Sequence, residues 1–201
     1  AHLDHVDAMA EKIGAANTVL KQDGVLTGYN SDAMGAVAAL TERCSLRNQR
    51  VAIIGAGGAA RAIGFGVREN QGKVIVVNRT VKTGEQLAAD LDGDFSPLTE
   101  IQKVGCDILI NTTPVGMFPD VDATPVPGTF FNAHMTVMDI VYTPLQTRLL
   151  KDATAAGCAT IQGLPMFVYQ GAFQFELWTG MQAPVEVMRA AVSEALGLDE
   201  R

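Results

Sequence analysis

Small residues recur at a fixed spacing between two apolar segments. Gly55, Gly57 and Ala60 follow the β-branched run at residues 51–54, and a second apolar run at residues 73–77 comes one helix later. Glycines in such a loop let the backbone turn tightly and approach a pyrophosphate, which binds at the positive end of the following helix. The simpler alternative is an ordinary glycine turn in an α/β protein. The position of the loop between two strands favours a dinucleotide site.

The residues at the end of the second apolar run distinguish between two dinucleotides. A site for NAD usually has Asp or Glu there, whereas this chain has Asn78, Arg79 and Thr80. The Arg79 guanidinium is a planar, permanently charged donor for a 2′-phosphate, and Thr80 and Lys82 add further donors. Arg79 could instead be a solvated surface charge. Its register with the glycine loop favours a functional role, and the sequence therefore predicts NADP.

Composition argues against several classes of function. The 201 residues are 48% hydrophobic and 18% charged, which is typical of a globular chain with one full core or slightly more. A formal net charge of −7 argues against nucleic acid as a partner. No apolar run has the length of a membrane span, so no membrane partner is expected. Three widely spaced cysteines indicate neither disulfides nor a metal site, so we expect a cytoplasmic location and no metal.

The opening segment has its own pattern. Residues 1–15 read as a helix, and two extended runs at 16–20 and 25–30 flank an Asp-Gly turn, which predicts a hairpin. Ser31 or Asp32 is the expected cap of the helix that follows.

Strands and helices then alternate from residue 51 to residue 162. The apolar runs are continuous, as in strands that are buried on both faces. This alternation is typical of a parallel sheet covered by helices on both sides. From Gly163 the pattern is helical to residue 201, and these helices could pack against the opening segment. We therefore expect an α/β protein with a Rossmann-like, doubly wound parallel sheet.

Polar side chains also occur in unexpectedly apolar segments outside the glycine loop. The clearest are Asn17, Asp32, Asn111, Tyr142 and Gln170. Each alone has a simple structural explanation, such as a turn residue, a helix cap, a core aromatic ring or a polar residue on a helix face. Together they form a set of groups suited to binding the hydroxyls of a small molecule.

Several short strings carry a resemblance to a known family. They are IGAANT, GYNSDAMG, GAGGAAR, NRT, INTTPVGM, DIVYTP and GLPMFVYQ, all between residues 13 and 174. In this order they resemble the shikimate dehydrogenase family, which includes quinate/shikimate dehydrogenases and the dehydrogenase half of bifunctional shikimate-pathway proteins. The resemblance implies a remnant of a second, smaller α/β substrate domain at residues 1–31, an NADP-binding Rossmann domain at 32–162, and helices at 163–201 that return to the substrate domain.

The same resemblance implies a reaction and its residues. The reaction is the NADP-dependent, reversible reduction of 3-dehydroshikimate to shikimate in aromatic amino acid biosynthesis, so the partner is a small molecule; a homodimer is compatible with the sequence. Asp32 is the implied catalytic residue. The implied substrate contacts are Asn17, Asp32, Tyr142 and Gln170. The implied cofactor contacts are Gly55, Ala56, Gly57, Gly58, Ala59, Asn78, Arg79, Thr80, Lys82, Thr112, Ile140, Gly163 and Met166.

One part of the family pattern is not found. The family's catalytic lysine lies in a Val-Thr-x-Pro-x-Lys segment shortly before the IGAxNT run, and residues 1–201 do not contain that segment. Neither Lys12 nor Lys21 has the surrounding motif. We therefore expect a fragment that has lost an N-terminal portion, in which Asp32 is half of a proton-transfer pair and the chain alone has little activity. A smaller departure is Lys82, close to a position where many family members have arginine.

Three alternatives stay open. The first is a quinate/shikimate dehydrogenase that uses NAD, which Asp or Glu in place of Arg79 would have favoured. The second is a non-catalytic ligand-binding module related to the family, which a parent protein without the lysine would favour. The third is a Rossmann dehydrogenase acting on amino acids or folates, which does not predict the set of Asn17, Asp32 and Gln170.

Overall fold

The computed structural model describes residues 3–197. The opening helix is predicted from residue 1 and the closing helices to residue 201. The parts of these predictions that fall on residues 1–2 and 198–201 lie outside the described residues. Elements are numbered in chain order.

The first part of the chain forms a small three-stranded sheet. Its elements are β1 (His5–Val6), α1 (Ala8–Ile13), β2 (Thr18–Gln22) and β3 (Val25–Tyr29). The strands β2 and β3 form the predicted antiparallel hairpin, and β1 adds to β3 in parallel. Asp23 and Gly24 have φ values of 51° and 85°, as a tight two-residue hairpin turn requires.

The opening helix is shorter than the sequence pattern predicts. Asp7 caps α1, because its carboxylate accepts a hydrogen bond from the backbone N–H of Met9. Gly14 ends the helix in the left-handed region, with a φ of 76°.

A six-stranded sheet follows, and all of its strand pairs are parallel. Its strands are β4 (Arg50–Ile54), β5 (Lys73–Asn78), β6 (Asp94–Pro97), β7 (Ile108–Asn111), β8 (Thr136–Asp139) and β9 (Ala159–Ile161). Their spatial order is β6-β5-β4-β7-β8-β9. This is the doubly wound order, in which the chain moves outward from β4 in one direction and then from β7 in the other. The predicted fold class is confirmed.

Helices cover both faces of this sheet. They are α2 (Ser31–Thr41), α3 (Gly58–Glu69), α4 (Val81–Asp90), α5 (Arg148–Ala155) and α6 (Gly163–Thr179). The last helix, α7 (Val185–Ala195), packs on α6, and two 3-10 turns lie at Leu98–Lys103 and Gly128–Phe130. Val51 and Ile53 pack in the core under α2, α3 and α4, whereas Ala52 and Ile54 pack in a second core with α5. Because alternate residues of β4 enter different cores, the strand is apolar throughout.

The cap of α2 is not the residue that the sequence pattern favours. Asn30 is the cap, and its side-chain oxygen accepts hydrogen bonds from the backbone N–H groups of Asp32 at 3.1 Å and Ala33 at 3.3 Å. Ser31 and Asp32 therefore lie inside the first turn. The carboxylate of Asp32 is left available for other partners.

Within residues 3–197, no helix combines the length and the apolar character that crossing a membrane requires.

Candidate active site

The glycine loop lies where the doubly wound sheet changes direction. It joins the carboxyl end of β4 to the start of α3, and β4 is flanked by β5 on one side and by β7 on the other. Ligands of such sheets bind outside the carboxyl ends of the strands at this switch point. The position predicted for the dinucleotide is therefore a crevice of the fold.

The local geometry of the loop fits a pyrophosphate. A Cβ on Gly57 or Gly58 would meet no other atom within 4 Å, so packing does not explain why these residues are glycine. The first turn of α3 receives no side-chain cap from the described residues, which leaves its backbone N–H groups for an anion. Gly55 has a φ of +115°, and a Cβ there would lie 2.5 Å from Thr112 Oγ1. The loop thus has open space above it and a close contact below it.

Thr112 has a structural contact at this point. Its hydroxyl donates a hydrogen bond of 2.6 Å to the carbonyl of Ile54, which ties the end of β7 to the end of β4. Thr112 therefore holds the crevice closed at its base, directly beneath Gly55.

The residues predicted to select NADP lie at the end of β5 and in the first turn of α4. The side-chain amide of Asn78 donates to the carbonyl of Thr80 and to the hydroxyl of Thr83, both at 2.9 Å, and so fixes the turn. Arg79, Thr80 and Lys82 are exposed to solvent. Lys82 shares a cleft of about 610 Å³ with the glycine loop; the residues lining this cleft are Ala56, Gly57, Gly58, Arg61, Lys82, Thr83, Gln86, Leu87 and Asp90.

A second, smaller cleft joins the two predicted sets of residues. Its volume is about 170 Å³, and it is lined by Asp32, Ala59, Ile140, Tyr142, Gly163, Met166, Phe167 and Gln170. Three of these were predicted to contact substrate and four to contact cofactor. The fold therefore brings them together from α2, α3, α6 and the loop after β8.

Close packing of α6 sets the shape of this cleft. A Cβ on Gly163 would lie 2.4 Å from the carbonyl oxygen of Ile140, so the first turn of α6 presses directly on the chain after β8. A Cβ on Gly35 would lie 2.7 Å from the carbonyl oxygen of Met166, which places α2 equally close to α6. Both contacts require glycine.

Asp32 is the ionisable centre of the cleft. Its Oδ1 accepts a hydrogen bond from Gln170 Nε2 at 2.5 Å. Burial raises the pKa of the Asp32 carboxyl, and a hydrogen bond from the side chain of Asn17 opposes that rise. A partly buried carboxyl with a raised pKa is suited to exchanging a proton with a ligand.

Asn17 itself lies at the edge of the site, next to β2. Its side-chain oxygen accepts hydrogen bonds from the backbone N–H of Ser31 at 2.9 Å and from the Ser31 hydroxyl at 3.0 Å. The residue is exposed and does not line the small cleft.

Sequence reasoning missed an aromatic residue of the cleft. The rings of Tyr142 and Phe167 lie 5.3 Å apart between centroids at an angle of 32°, and each residue is more than two-fifths exposed. The helical spacing of Phe167, three residues before Gln170, is the signal that could have found it. The pair forms an apolar wall beside Asp32.

Sequence reasoning also missed the support beneath this wall. Asp139 is fully buried at the end of β8, where it accepts hydrogen bonds from Asn111 Nδ2 at 3.0 Å, from Thr147 Oγ1 at 2.7 Å and from the backbone N–H of Val141 at 3.1 Å. A carboxylate inside an apolar strand was the available signal. The network holds the loop that carries Ile140 and Tyr142.

No group of three or more His, Cys, Asp or Glu side chains suited to a metal occurs within residues 3–197.

Comparisons with known proteins agree with this geometry. Residues 37–115 match the family described as shikimate / quinate 5-dehydrogenase, and residues 163–192 match the shikimate 5'-dehydrogenase C-terminal domain. A shikimate dehydrogenase (NADP(+)) of Methanosarcina acetivorans is 45% identical over 202 residues, a match that covers 94% of this chain and 72% of that protein. The chain belongs to the shikimate dehydrogenase family.

Solved structures of the family have the same fold. A shikimate dehydrogenase crystallised with NADP+ superposes with a TM-score of 0.91 at 40% identity, covering 96% of this chain and 71% of that one. A shikimate 5-dehydrogenase of Thermus thermophilus, crystallised with NADP(H) and shikimate, gives a TM-score of 0.88 at 39% identity, covering 96% of this chain and 73% of that one.

Proposed function

We propose that the chain carries the catalytic machinery for the NADP-dependent, reversible reduction of 3-dehydroshikimate to shikimate. The observation that carries the proposal is the small cleft, in which the Asp32–Gln170 pair adjoins Ala59, Ile140 and Gly163. The proposal is supported by the position of this carboxyl, which lies next to residues predicted to contact the cofactor. The related shikimate dehydrogenases give the substrate class.

The cofactor side of the site has one role, which is binding. Backbone N–H groups in the first turn of α3 would hold the pyrophosphate, and Gly57 and Gly58 leave room for it. Arg79, with Thr80 and Lys82, would bind the 2′-phosphate. Ile140, Gly163 and Met166 would face the nicotinamide end of the cofactor. When bound, NADP exchanges a hydride with the substrate at its nicotinamide ring.

The substrate side binds hydroxyls and handles a proton. Gln170 holds the Asp32 carboxyl at one oxygen. The other oxygen would exchange a proton with the carbonyl oxygen of 3-dehydroshikimate, whose carbonyl carbon takes the hydride. Asn17 and Tyr142 would bind further hydroxyls, and the Tyr142–Phe167 pair would exclude water from one side. The proton-transfer partner of Asp32 is, by family resemblance, a lysine in a segment that residues 1–201 do not contain.

An assay with two forms of the protein tests the proposal. Oxidation of NADPH is followed with 3-dehydroshikimate for residues 1–201 and for a form in which the family's lysine-bearing segment precedes residue 1. We expect the shorter form to bind NADPH and the longer form to turn over about 10²–10⁴-fold faster, the contribution of a lost acid–base group. Failure of the longer form to reduce 3-dehydroshikimate would contradict the proposed reaction and favour the ligand-binding module.

The cofactor choice can be separated from the reaction. An NAD-dependent quinate/shikimate dehydrogenase would reduce the same ring carbonyls with NADH and would oxidise quinate. We expect the longer form to prefer NADPH because Arg79, rather than a carboxylate, follows β5. A preference for NADH with quinate as the better substrate would favour that alternative.

We also propose a cytoplasmic location. Cys44, Cys106 and Cys158 are all free thiols, which agrees with a reducing compartment. Fractionation of the source cells with an antibody to the protein would test this.

A further inference from the structure

Arg61, a residue of α3, caps the carboxyl end of α1. Its Nε donates a hydrogen bond to the carbonyl oxygen of Ile13, and its Nη2 donates to the carbonyl oxygen of Lys12 at 3.3 Å. The last four carbonyl groups of a helix have no partner inside that helix. In α1 the backbone N–H of Gly14 donates to the first two of them, and Arg61 supplies the donors for the other two. The end of α1 is therefore held by a side chain from another helix.

The same guanidinium is also bound to α4. Its Nη1 donates to Asp90 Oδ2 at 2.5 Å, and Asp90 Oδ1 accepts from Gln86 Nε2 at 2.9 Å. These three residues line the cleft of about 610 Å³ beside the glycine loop, which we call the cofactor cleft. Arg61 lies one helical turn after Gly57, whose carbonyl accepts from its backbone N–H at 3.0 Å. One side chain thus connects the cofactor cleft with α1.

The side chain of Ile13 is packed at the point where Arg61 holds its carbonyl. Ile13 is 2% exposed and forms a small core with Ala33 of α2 and Ala62 of α3. Phe65 packs against this core, and the guanidinium carbon of Arg61 lies 5.3 Å from the centre of the Phe65 ring. The end of α1 is therefore fixed at its backbone as well as at its side chain.

The segment that is held in this way leads to Asn17, a predicted substrate contact. Midway along it, the carbonyl of Ala15 accepts a hydrogen bond from Asn30 Nδ2 at 3.1 Å. At its end, the backbone N–H of Asn17 donates to the carbonyl of Tyr29 at 3.0 Å. The segment is thus attached to α3 at Ile13 and to the junction of β3 and α2 further on. A shift at the first of these attachments would move Asn17 relative to the cofactor cleft.

We propose that Arg61 is a positioning residue for the substrate side of the site, because it holds the segment that ends at Asn17 in place relative to the glycine loop. Three of its five N–H groups donate to protein acceptors and Asp90 offsets its charge, so a cofactor phosphate is assigned to Arg79 instead. The inference rests on the proposed function and deepens it, since Asn17 is one of the substrate contacts of that reaction.

Hydrogen exchange tests the attachment without substrate. The hydrogen-bonded backbone amides within residues 14–17 are compared for the unmodified chain, Arg61→Ala and Lys12→Ala. The second variant is the matched control, because it breaks the Lys12–Glu69 ion pair that joins the same two helices at the surface. We expect exchange to become at least about tenfold faster in Arg61→Ala, the effect of losing a charge-assisted hydrogen bond. In Lys12→Ala it should change at most about threefold.

Kinetics in the longer form test the consequence for the reaction. Arg61→Ala should lower kcat/KM for 3-dehydroshikimate by about 10- to 100-fold, because a displaced binding group misaligns the substrate. The Kd of NADPH, measured by fluorescence, should change less than about threefold. Asp90→Ala releases the guanidinium from α4 and should change exchange and kcat/KM in the same direction by a smaller factor. It carries the test if Arg61→Ala does not fold.

The outcomes separate three roles for Arg61. A loss of NADPH affinity as large as the loss of kcat/KM would overturn the proposal and make Arg61 a cofactor contact. A lower melting temperature with unchanged exchange and unchanged kcat/KM in the folded variants would also overturn it and leave Arg61 a structural residue. Faster exchange in a protein whose longer form does not reduce 3-dehydroshikimate would support the attachment and contradict the reaction, so the two failures are distinguishable.

Discussion

The contact between Gly35 of α2 and Gln170 of α6 is so close that no further atom fits between the two helices at this point. A Cβ on Gly35 would lie 2.6 Å from Gln170 Cγ and 3.0 Å from the Gln170 backbone nitrogen. One turn before Gly35 on the same helix, Asp32 accepts its hydrogen bond from the Gln170 side chain. The helix contact and the hydrogen bond are therefore two consequences of one approach.

Gly35→Ala should separate these helices. Alanine favours a helix by about 1 kcal/mol over glycine, but the clash with backbone atoms should outweigh this gain and cost about 1–3 kcal/mol net. The melting temperature should fall by about 2–4 °C per kcal/mol. Gly171→Ala, in α6 with no atom within 4 Å of its new Cβ, is the matched control and should be neutral or stabilising. Equal stability of the two variants would contradict the tight contact.

Asp32→Asn should separate chemistry from folding. Because Asn30 is the cap of α2, replacing Asp32 leaves the start of the helix intact. We expect kcat of the longer form to fall by about 10²–10⁴-fold with little change in melting temperature. The control is Asn30→Ala, which should reduce stability by about 0.5–2 kcal/mol. A large fall in melting temperature with a near-normal kcat for Asp32→Asn would show a structural role.

Arg79→Ala should change the choice of cofactor. A charge-assisted hydrogen bond is worth about 1.5–3 kcal/mol, so NADPH should bind about 10- to 150-fold more weakly. The affinity for NADH, which has no 2′-phosphate, should change by less than about threefold. Fluorescence titration of both nucleotides measures this, and Arg68→Ala, which breaks only the Arg68–Asp92 ion pair, is the surface control. Equal losses for the two nucleotides would mean that Arg79 merely supports the loop.

Gly58→Ala should distinguish a ligand cradle from an ordinary turn. The new methyl group would enter open space, so the protein should keep its stability or gain up to about 1 kcal/mol. The same methyl group would occupy space above the loop, and NADPH affinity should fall at least about tenfold. Unchanged NADPH binding, with Gly171→Ala again as the control, would place the pyrophosphate elsewhere.

Asp139 should give the stability of the protein a pH dependence of known sign. Burial raises the pKa of its carboxyl, although hydrogen bonds from Thr147, Val141 and Asn111 oppose the rise. Between the unfolded and the folded pKa the unfolded chain binds fewer protons, so the free energy of unfolding falls as pH rises through that window.

Asp139→Asn should remove this fall, whereas Asp139→Ala should cost at least about 1–3 kcal/mol because it leaves buried donors unpaired. Urea unfolding from acid to neutral pH measures both. Hydrogen bonds from Arg50 lower the pKa of Asp107, so this carboxylate has the opposite effect on stability. Its contribution to the free energy of unfolding is lost as pH falls. If the free energy of unfolding of Asp139→Asn depends on pH as it does in the unmodified protein, the Asp139 carboxyl is not the cause of that dependence.

The features that depend on residues close together in the chain could be predicted from the sequence. The glycine loop, the Asp-Gly hairpin and the doubly wound order all follow from residues that lie close together in the chain. The cap of α2 could not be chosen, because Asn30, Ser31 and Asp32 are consecutive residues of types that all cap helices. The contact of Gly35 depends on α6, which lies more than 120 residues later in the chain, so no local sequence pattern predicts it. The role of Asp139 likewise becomes visible only when β7 and β8 lie side by side.

The hairpin of β2 and β3 connects the site to an exposed turn at Asp23–Gly24. Thr18 pairs with Tyr29 and Gln22 pairs with Val25, so Asn17 lies at the open end, about 20 Å along the strand from the Asp23–Gly24 turn. Side chains of a strand alternate between its two faces, and one additional residue in that turn would slip the register and carry Asn17 to the wrong face. The length of this exposed turn thus determines where the Asn17 side chain lies. An insertion in the turn would therefore have the effect of an active-site mutation.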